Sequence, residues 1–159
     1  MNLGSPLRIG VISDTHGLLR PEAEEIFRSV GVEHILHAGD VGDVAILQAL
    51  SAIAPVTAVR GNTDIAPGCR NLPVCETVSL ASAEIFMHHG HLDEFNILPR
   101  GANVIVSGHT HAPLVCWREN VLCVNPGSAG PRRFRLPVCV AVLTIFNRIR
   151  SAQIFEISA

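Results

Sequence analysis

The chain has 159 residues, a length that favours one domain with a sizeable core, and we expect residues 1–159 to form it. Apolar residues make up 48% of the sequence and charged residues 16%, which excludes an intrinsically disordered chain. The formal net charge of −2 offers no electrostatic footprint for nucleic acid or an anionic membrane surface.

The first half of the chain is predicted to repeat a unit of strand, loop and helix. Buried strands are predicted at 7–13, 35–38 and 56–59, and helices are predicted to begin at Pro21 and near Val44. This repetition implies parallel strands joined by right-handed crossovers.

After residue 64 the pattern changes to short strands with tight turns, which is typical of antiparallel hairpins. A short helix is predicted at 93–98. Strands are predicted at 74–80, 84–88, 104–107, 113–117, 121–124, 138–146 and 152–157. Two packed sheets with helices outside would bury both halves of the chain in one core.

The N-terminal segment lacks the basic and apolar regions of a signal peptide, and no uninterrupted apolar run approaches membrane-spanning length. Five cysteines without a CxxC pair favour reduced thiols over a disulfide framework. These features predict a soluble protein of the cytoplasm. A mean hydropathy of +0.35 favours a homo-oligomer.

Side chains able to bind metal follow the predicted strands, where sites form in α/β sheets. They are Asp14, His16, Asp40, Asn62, His89, His109 and His111. Glycines beside several of them are expected to let the backbone turn sharply. Seven oxygen and nitrogen donors exceed the four of a structural zinc site. They suit two divalent metals that share a carboxylate, an arrangement that favours in-line attack on phosphorus.

The motifs that carry these residues resemble the calcineurin-like metallophosphoesterases. In chain order they are Asp14-Thr-His16, Gly39-Asp40-Val-Gly-Asp43, Gly61-Asn62, His89-Gly-His91 and Gly108-His-Thr-His111. With the short length and the Asn125-Pro-Gly-Ser128 segment, they are most similar to the small bacterial and archaeal phosphodiesterase branch. The resemblance covers residues 14–128.

The resemblance implies a mixed α/β fold, a four-layer αββα sandwich of two packed mixed β-sheets flanked by helices. It implies two divalent ions, Mn²⁺ ahead of Fe, Zn or Ni, with Asp40 as the bridging ligand. The other implied ligands are Asp14, His16 and His111 for one ion, and Asn62, His89 and His109 for the other. The implied reaction is hydrolysis of a small phosphodiester by water that the metals activate, with Asn62 and Asn125 near the substrate.

One position departs from the family pattern. Many members carry a histidine after the Asn of the third motif, where it protonates the leaving group, but this chain has Thr63. His91 and Asp64 are the remaining candidates for the acid. We favour His91, because an imidazole can hold a proton near neutral pH.

Other interpretations stay open at this point. The eukaryotic retromer scaffold subunit resembles the same branch, so the chain is alternatively a non-catalytic module for protein interactions. A phosphomonoesterase and a single structural metal site are further alternatives. His37 lies inside an apolar strand and is predicted to be a core histidine with satisfied hydrogen bonds, and Asp43 is either a support for a ligand or a helix cap.

Overall fold

Apolar β-branched runs from both ends of the chain pair into the first of two β-sheets. The computed structural model describes residues 4–95 and 97–157. Their α-helices are α1 (Pro21–Val30) and α2 (Val44–Ser51). Their strands are β1 (Leu7–Ile12), β2 (His34–His37), β3 (Val56–Ala58), β4 (Cys75–Leu80), β5 (Ala83–His88), β6 (Val104–Val106), β7 (Leu114–Arg118), β8 (Val121–Asn125), β9 (Val138–Phe146) and β10 (Ile149–Ile157).

The first sheet has the order β10-β9-β1-β2-β3. Strands β1, β2 and β3 are parallel, as the repeated strand–helix units predict. Strands β9 and β10 come from the C-terminal hairpin and extend the sheet beside β1 in antiparallel orientation. The N-terminal and C-terminal parts of the chain therefore share one sheet.

The second sheet has the order β4-β5-β6-β8-β7. Its three inner strands, β5, β6 and β8, run parallel, and each edge strand forms a hairpin with its neighbour. Both sheets are therefore mixed, and the predicted fold class is confirmed. The predicted helix at 93–98 is a 3₁₀ helix at Asp93–Phe95, and residue 96 lies outside the described residues.

Two apolar layers hold the sandwich together. The inner layer lies between the sheets and joins residues such as Val11 and Leu143 from the first sheet to Met87 and Val106 from the second. The outer layer packs the two helices, through residues such as Phe27, against the first sheet. Both α-helices of the described residues fall short of the length and apolar character that a bilayer crossing requires.

The ends of the helices follow from local chemistry. Pro21 begins α1, and Gly31 ends it with a left-handed backbone at a φ of 76°. The Asp43 carboxylate accepts a hydrogen bond from the amide of Ala45 and caps α2. Asp43 is thus a helix cap.

The last strand begins earlier than predicted. β10 starts at Ile149, three residues before the predicted start at 152, and pairs along its whole length with β9. Asn147 adopts a φ of 54°, which allows a two-residue turn in place of a longer loop. The prediction was wrong because Arg150 and Ser151 look like turn residues, but they belong to a polar edge strand.

His37, at the end of β2, connects the loops that follow the first two strands. The amide of Gly39 donates to its Nδ1 at 3.2 Å, and its Nε2 lies 3.0 Å from Thr15 Oγ1. Because the Thr15 hydroxyl donates to the carbonyl of Val41 at 2.8 Å, the histidine Nε2 is the donor to that hydroxyl. Burial lowers the pKa of His37 to about 3, so it is a neutral core histidine, as predicted.

We expect His37→Leu to lower the free energy of unfolding by roughly 1–3 kcal/mol, because it leaves the buried Gly39 amide without a partner and the Thr15 hydroxyl with only its bond to the Val41 carbonyl. The matched control is His34→Leu on the same strand, a partly exposed histidine with one hydrogen bond to Thr57. Urea unfolding measures both. Equal losses in the two variants would contradict the role of His37.

Candidate metal centre

The first loop of the site follows β1 and carries Asp14, a fully buried carboxylate. Its Oδ2 accepts hydrogen bonds from the Ser13 hydroxyl at 2.7 Å and from the backbone amide of His109 at 3.0 Å. Its Oδ1 has no hydrogen-bond partner among the described residues. That atom lies 3.3 Å from His111 Nε2 and 3.8 Å from His16 Nε2. One oxygen is therefore held by the fold, and the other faces imidazoles.

Asp40, after β2, is arranged in the same way. The backbone amide of Thr63 donates to its Oδ1 at 2.9 Å. Its Oδ2 lies 3.2 Å from His89 Nε2 and 3.6 Å from His16 Nε2. This oxygen therefore stands between histidines that come from opposite sheets.

His89 follows β5 and is fully buried. Its Nδ1 donates to the carbonyl of Ala38 at 2.7 Å, which fixes the tautomer and turns Nε2 toward the two carboxylates. The Nε2 atom has no aligned hydrogen-bond partner in the described chain, although it lies 3.7 Å from Asp14 Oδ1. Buried polar atoms are rarely left in this state, which makes Nε2 of His89 a candidate ligand atom.

The loop after β6 supplies His109 and His111 on opposite sides of the site. The His111 Nε2 lies 3.4 Å from His16 Nε2, whereas the His109 ring packs on His89 with centroids 5.0 Å apart. Asn125 holds this loop, because its amide nitrogen donates to the Gly108 carbonyl at 3.0 Å and to the Thr110 hydroxyl at 3.1 Å. The Asn125 side chain is buried in these contacts.

Six of the seven predicted ligands fall into two groups. In each group the donor atoms lie within 4.8 Å of one another, and the groups are Asp14, His16 and His111, and Asp40, His89 and His109. Asn62 is exposed beside the second group, in a cavity of about 500 Å³ that His91 also lines. The adjacent Thr63 amide ties the Asn62 loop to Asp40.

The charges of the site are coupled. Burial disfavours ionised Asp40, but its contact with His89 and the amide of Thr63 outweigh burial and lower its pKa. Burial likewise opposes protonation of His89, but the two carboxylates and the Ala38 carbonyl raise its pKa above the ordinary 6.5. Burial lowers the pKa of His111. In the absence of metal, the two carboxylates therefore favour the protonated form of His89.

Five of the predicted ligand positions share an uncommon backbone conformation. Asp14, His16, Asp40, His109 and His111 have φ values of 57°, 46°, 54°, 72° and 63°. Residues other than glycine rarely adopt this left-handed region, and each instance costs about 1–3 kcal/mol. Such strain persists only where the surrounding structure enforces it, and it clusters at functional sites.

Glycines next to the ligands are required for two different reasons. Gly39 has a φ of 100°, and a Cβ there would lie 2.6 Å from His89 Nδ1, so this glycine serves both the turn and the close approach. Gly108 does not have a left-handed φ. It is required for space, because a Cβ at this position would collide with the Ser13 hydroxyl.

The two candidate acids, Asp64 and His91, differ in whether hydrogen bonds already occupy their side chains. Asp64 is buried, and its two oxygens accept hydrogen bonds from the amides of Gly42 at 3.0 Å and Gly61 at 2.8 Å, so it holds backbone. His91 lies at the site, with ring centroids 5.5 Å from His89 and 6.3 Å from His109. Burial and these two histidines lower the pKa of His91, so it is protonated to a smaller extent near neutral pH than an ordinary imidazole, and its role as the acid stays a prediction.

Sequence comparison agrees with this geometry. The model of the calcineurin-like phosphoesterase superfamily domain matches residues 7–148, which is most of the chain and includes all seven predicted ligands. The chain belongs to this superfamily. A probable metallophosphoesterase of Methanothermobacter thermautotrophicus is 37% identical over 164 residues, covering 95% of this chain and 93% of the relative.

Two further similar proteins are a bacterial phosphodiesterase and a eukaryotic protein of the same fold. The phosphodiesterase YfcE of Escherichia coli is 30% identical over 146 residues, covering 77% of this chain and 79% of YfcE, and its solved structure has a TM-score of 0.70. Vps29 of Entamoeba histolytica, solved with Zn²⁺, has a TM-score of 0.73 at 18% identity, covering 94% of this chain and 99% of Vps29. The likeness to Vps29 shows the fold alone.

In metal-free protein we expect the His89 imidazole to titrate above pH 6.5, because the two carboxylates stabilise its protonated form. The stability that this proton contributes is fully present below pH 6.5 and is lost as the pH rises through the raised pKa. Asp40→Asn should lower the pKa of His89. An NMR titration of the imidazole nitrogens measures both values.

His34 is the internal control in that titration, because it lies away from both carboxylates and should titrate alike in the two proteins. A His89 pKa that stays the same in the variant would show that Asp40 does not hold the proton.

Proposed function

We propose that this protein is a phosphodiesterase that binds two divalent metal ions and hydrolyses a small phosphodiester, within one domain of residues 1–159. The observation that carries the proposal is the Asp40 carboxylate, whose Oδ2 lies between His16 of one donor group and His89 of the other. A carboxylate shared by two groups is what a paired-metal site requires.

The donor set fits metal ions on physical grounds. Asp14 Oδ1 and His89 Nε2 are buried without hydrogen-bond partners in the described chain, and buried polar atoms are rarely left so. All the donors are oxygen or imidazole nitrogen, which suits Mn²⁺ and also Fe, Zn or Ni. Asp14, His16 and His111 would hold one ion, and Asn62, His89 and His109 the other. The two would share Asp40.

Bound divalent ions would lower the pKa of the attacking water and neutralise charge on the phosphoryl oxygens. The rest of the chemistry belongs to the chain. The Ala38 carbonyl keeps Nε2 of His89 facing the carboxylates, and the Thr63 amide keeps Oδ2 of Asp40 facing the histidines. His91, beside His89 and His109, would give the proton to the leaving oxygen.

The hydrogen bonds of Asn125 favour a structural role in place of the predicted contact with substrate. All its polar side-chain atoms are engaged, since Oδ1 also accepts from the amide of Gly127 at 2.9 Å. We infer that Asn125 positions the loop of His109 and His111. Asn62, exposed in the cavity beside His91, is the asparagine that can reach substrate.

A scaffold without activity is the second candidate, and the fold shared with Vps29 favours it. Metal binding does not separate the two candidates, because a Vps29 structure also holds Zn²⁺. Hydrolysis separates them. The diesterase is preferred because YfcE, a phosphodiesterase, is the more similar protein in sequence. Hydrolysis of phosphomonoesters in place of phosphodiesters would identify a phosphomonoesterase.

We expect the wild-type protein to hydrolyse bis(p-nitrophenyl) phosphate when Mn²⁺ is added and to bind two metal ions per chain. Asp40→Asn and His109→Ala should each reduce kcat/KM by about 100-fold or more, because they remove a shared or a single ligand. Release of nitrophenolate and elemental analysis of the metal measure both effects.

The control for this assay is His34→Ala, which removes a histidine outside the site and should leave activity and metal content unchanged. Activity that survives in both ligand variants would overturn the enzyme assignment. One ion per chain would favour the single structural site.

We expect His91→Ala to reduce hydrolysis of alkyl phosphodiesters by about 100-fold and to affect nitrophenyl diesters far less, because nitrophenolate leaves without a proton. Ile65→Ala, which shortens an exposed side chain that lines the same cavity, should leave the ratio of the two rates unchanged. Steady-state rates on both substrate types measure the ratio. Equal losses on both in His91→Ala would rule out the acid role.

A further inference from the structure

A cavity of about 500 Å³ opens beside the second donor group. It is lined by the proposed ligand Asn62, the proposed acid His91 and two arginines, Arg60 and Arg70. A group that leaves from the phosphorus next to His91 would enter this cavity. The chemistry of its walls therefore bears on which alcohol the substrate carries.

Arg60 is held in place from both ends. Its backbone amide donates to the carbonyl of Pro73 at 2.8 Å, and its Nη1 donates to the carbonyl of Arg70 at 3.1 Å. The guanidinium has five N–H donors, so most of them are left for a ligand. The side chain is half-buried, which reduces the screening of its charge by water.

Both arginines lack an ionic partner. Within residues 4–95 and 97–157, neither Arg60 nor Arg70 forms an ion pair with a carboxylate; the ion pairs of this region join histidines to Asp14 or Asp40. Asp64 also lines the cavity, but its oxygens accept from two backbone amides. The cavity thus holds two cations and a carboxylate that is already engaged.

Arg60 and the proposed acid His91 line the same cavity. A group that leaves beside His91 would therefore meet the Arg60 side chain. A guanidinium binds planar or tetrahedral oxyanions with paired hydrogen bonds, which makes it selective for phosphate and carboxylate.

We propose that Arg60, assisted by Arg70, forms a subsite for a second anionic group on the leaving alcohol, a phosphate or a carboxylate. This inference rests on the proposed function and names its substrate class: diesters whose leaving alcohol carries its own negative charge. In the reaction water gives OH to phosphorus, the bond from phosphorus to the alcohol oxygen breaks, and that oxygen takes a proton. The anion bound by Arg60 leaves with the alcohol.

The test compares two diesters that differ by one anion. Methyl 4-nitrophenyl phosphate and methyl 3-carboxy-4-nitrophenyl phosphate both release a coloured nitrophenolate, and the second carries a carboxylate on the leaving group. With Mn²⁺, wild-type protein should favour the carboxylated diester by about tenfold in kcat/KM, the size expected of one charge-assisted contact. The preference should shrink at high salt.

Variants of Arg60 test the residue itself. Arg60→Gln should bring the ratio of the two kcat/KM values close to one, and Arg60→Lys should keep part of the preference because it keeps the charge. The matched control is Arg28→Gln on the exposed face of α1, which should retain the wild-type ratio. A purely structural Arg60, holding the Arg70 carbonyl, would lower both rates together and leave the ratio unchanged.

The outcomes separate the two proposals. Hydrolysis of both diesters at equal efficiency by wild-type protein would overturn the subsite and support the proposed function. An unchanged ratio in Arg60→Gln would also overturn the subsite. No Mn²⁺-dependent hydrolysis of either diester would overturn the proposed function and the subsite with it.

Discussion

Two carboxylates, Asp14 and Asp40, lie buried together where the ends of the two sheets meet. The rest of the site stabilises these two buried negative charges. A buried charge is costly unless hydrogen bonds and opposite charges surround it. Amides of Thr63 and His109 satisfy one oxygen of each carboxylate, and imidazoles face the other. In the metal-free chain the carboxylates raise the pKa of His89, which favours a proton that offsets part of the charge; two divalent cations would more than offset it.

The same requirement explains the local backbone. Side chains and amides from five loops can surround two carboxylates only if the chain turns sharply at the strand ends. Five of the predicted ligand residues adopt a left-handed conformation there. The loops also pack so closely against one another that no side chain fits at two glycines. A Cβ at Gly61 would collide with Asp40, and a Cβ at Gly108 would collide with Ser13. The packed layers of the sandwich supply the stability that holds this strain in place.

Sequence alone predicted the features that local pattern encodes. The parallel strands, the start of each helix and the candidate ligand motifs each occupy a short stretch, so periodicity, strand-end position and the family resemblance were sufficient to predict them. The hydrogen bonds that orient the candidate ligands were not predicted, because Asp14 and the His109 amide are 95 residues apart. Ser13 and Thr63 donate hydrogen bonds to the two carboxylates, but no local sequence pattern indicates this. The strand β10 begins three residues before its predicted start, because its polar residues resemble a turn. The homo-oligomer and the cytoplasmic location stay predictions.

The proposed phosphodiesterase site requires that Asp40 is shared by two metal ions. Crystals grown with Mn²⁺ test this most directly through the anomalous scattering of the metal. We expect two peaks about 3.5–4 Å apart, one beside Asp14, His16 and His111 and the other beside Asn62, His89 and His109, with Asp40 between them. A single peak at full occupancy, or two peaks that Asp40 does not bridge, would contradict it.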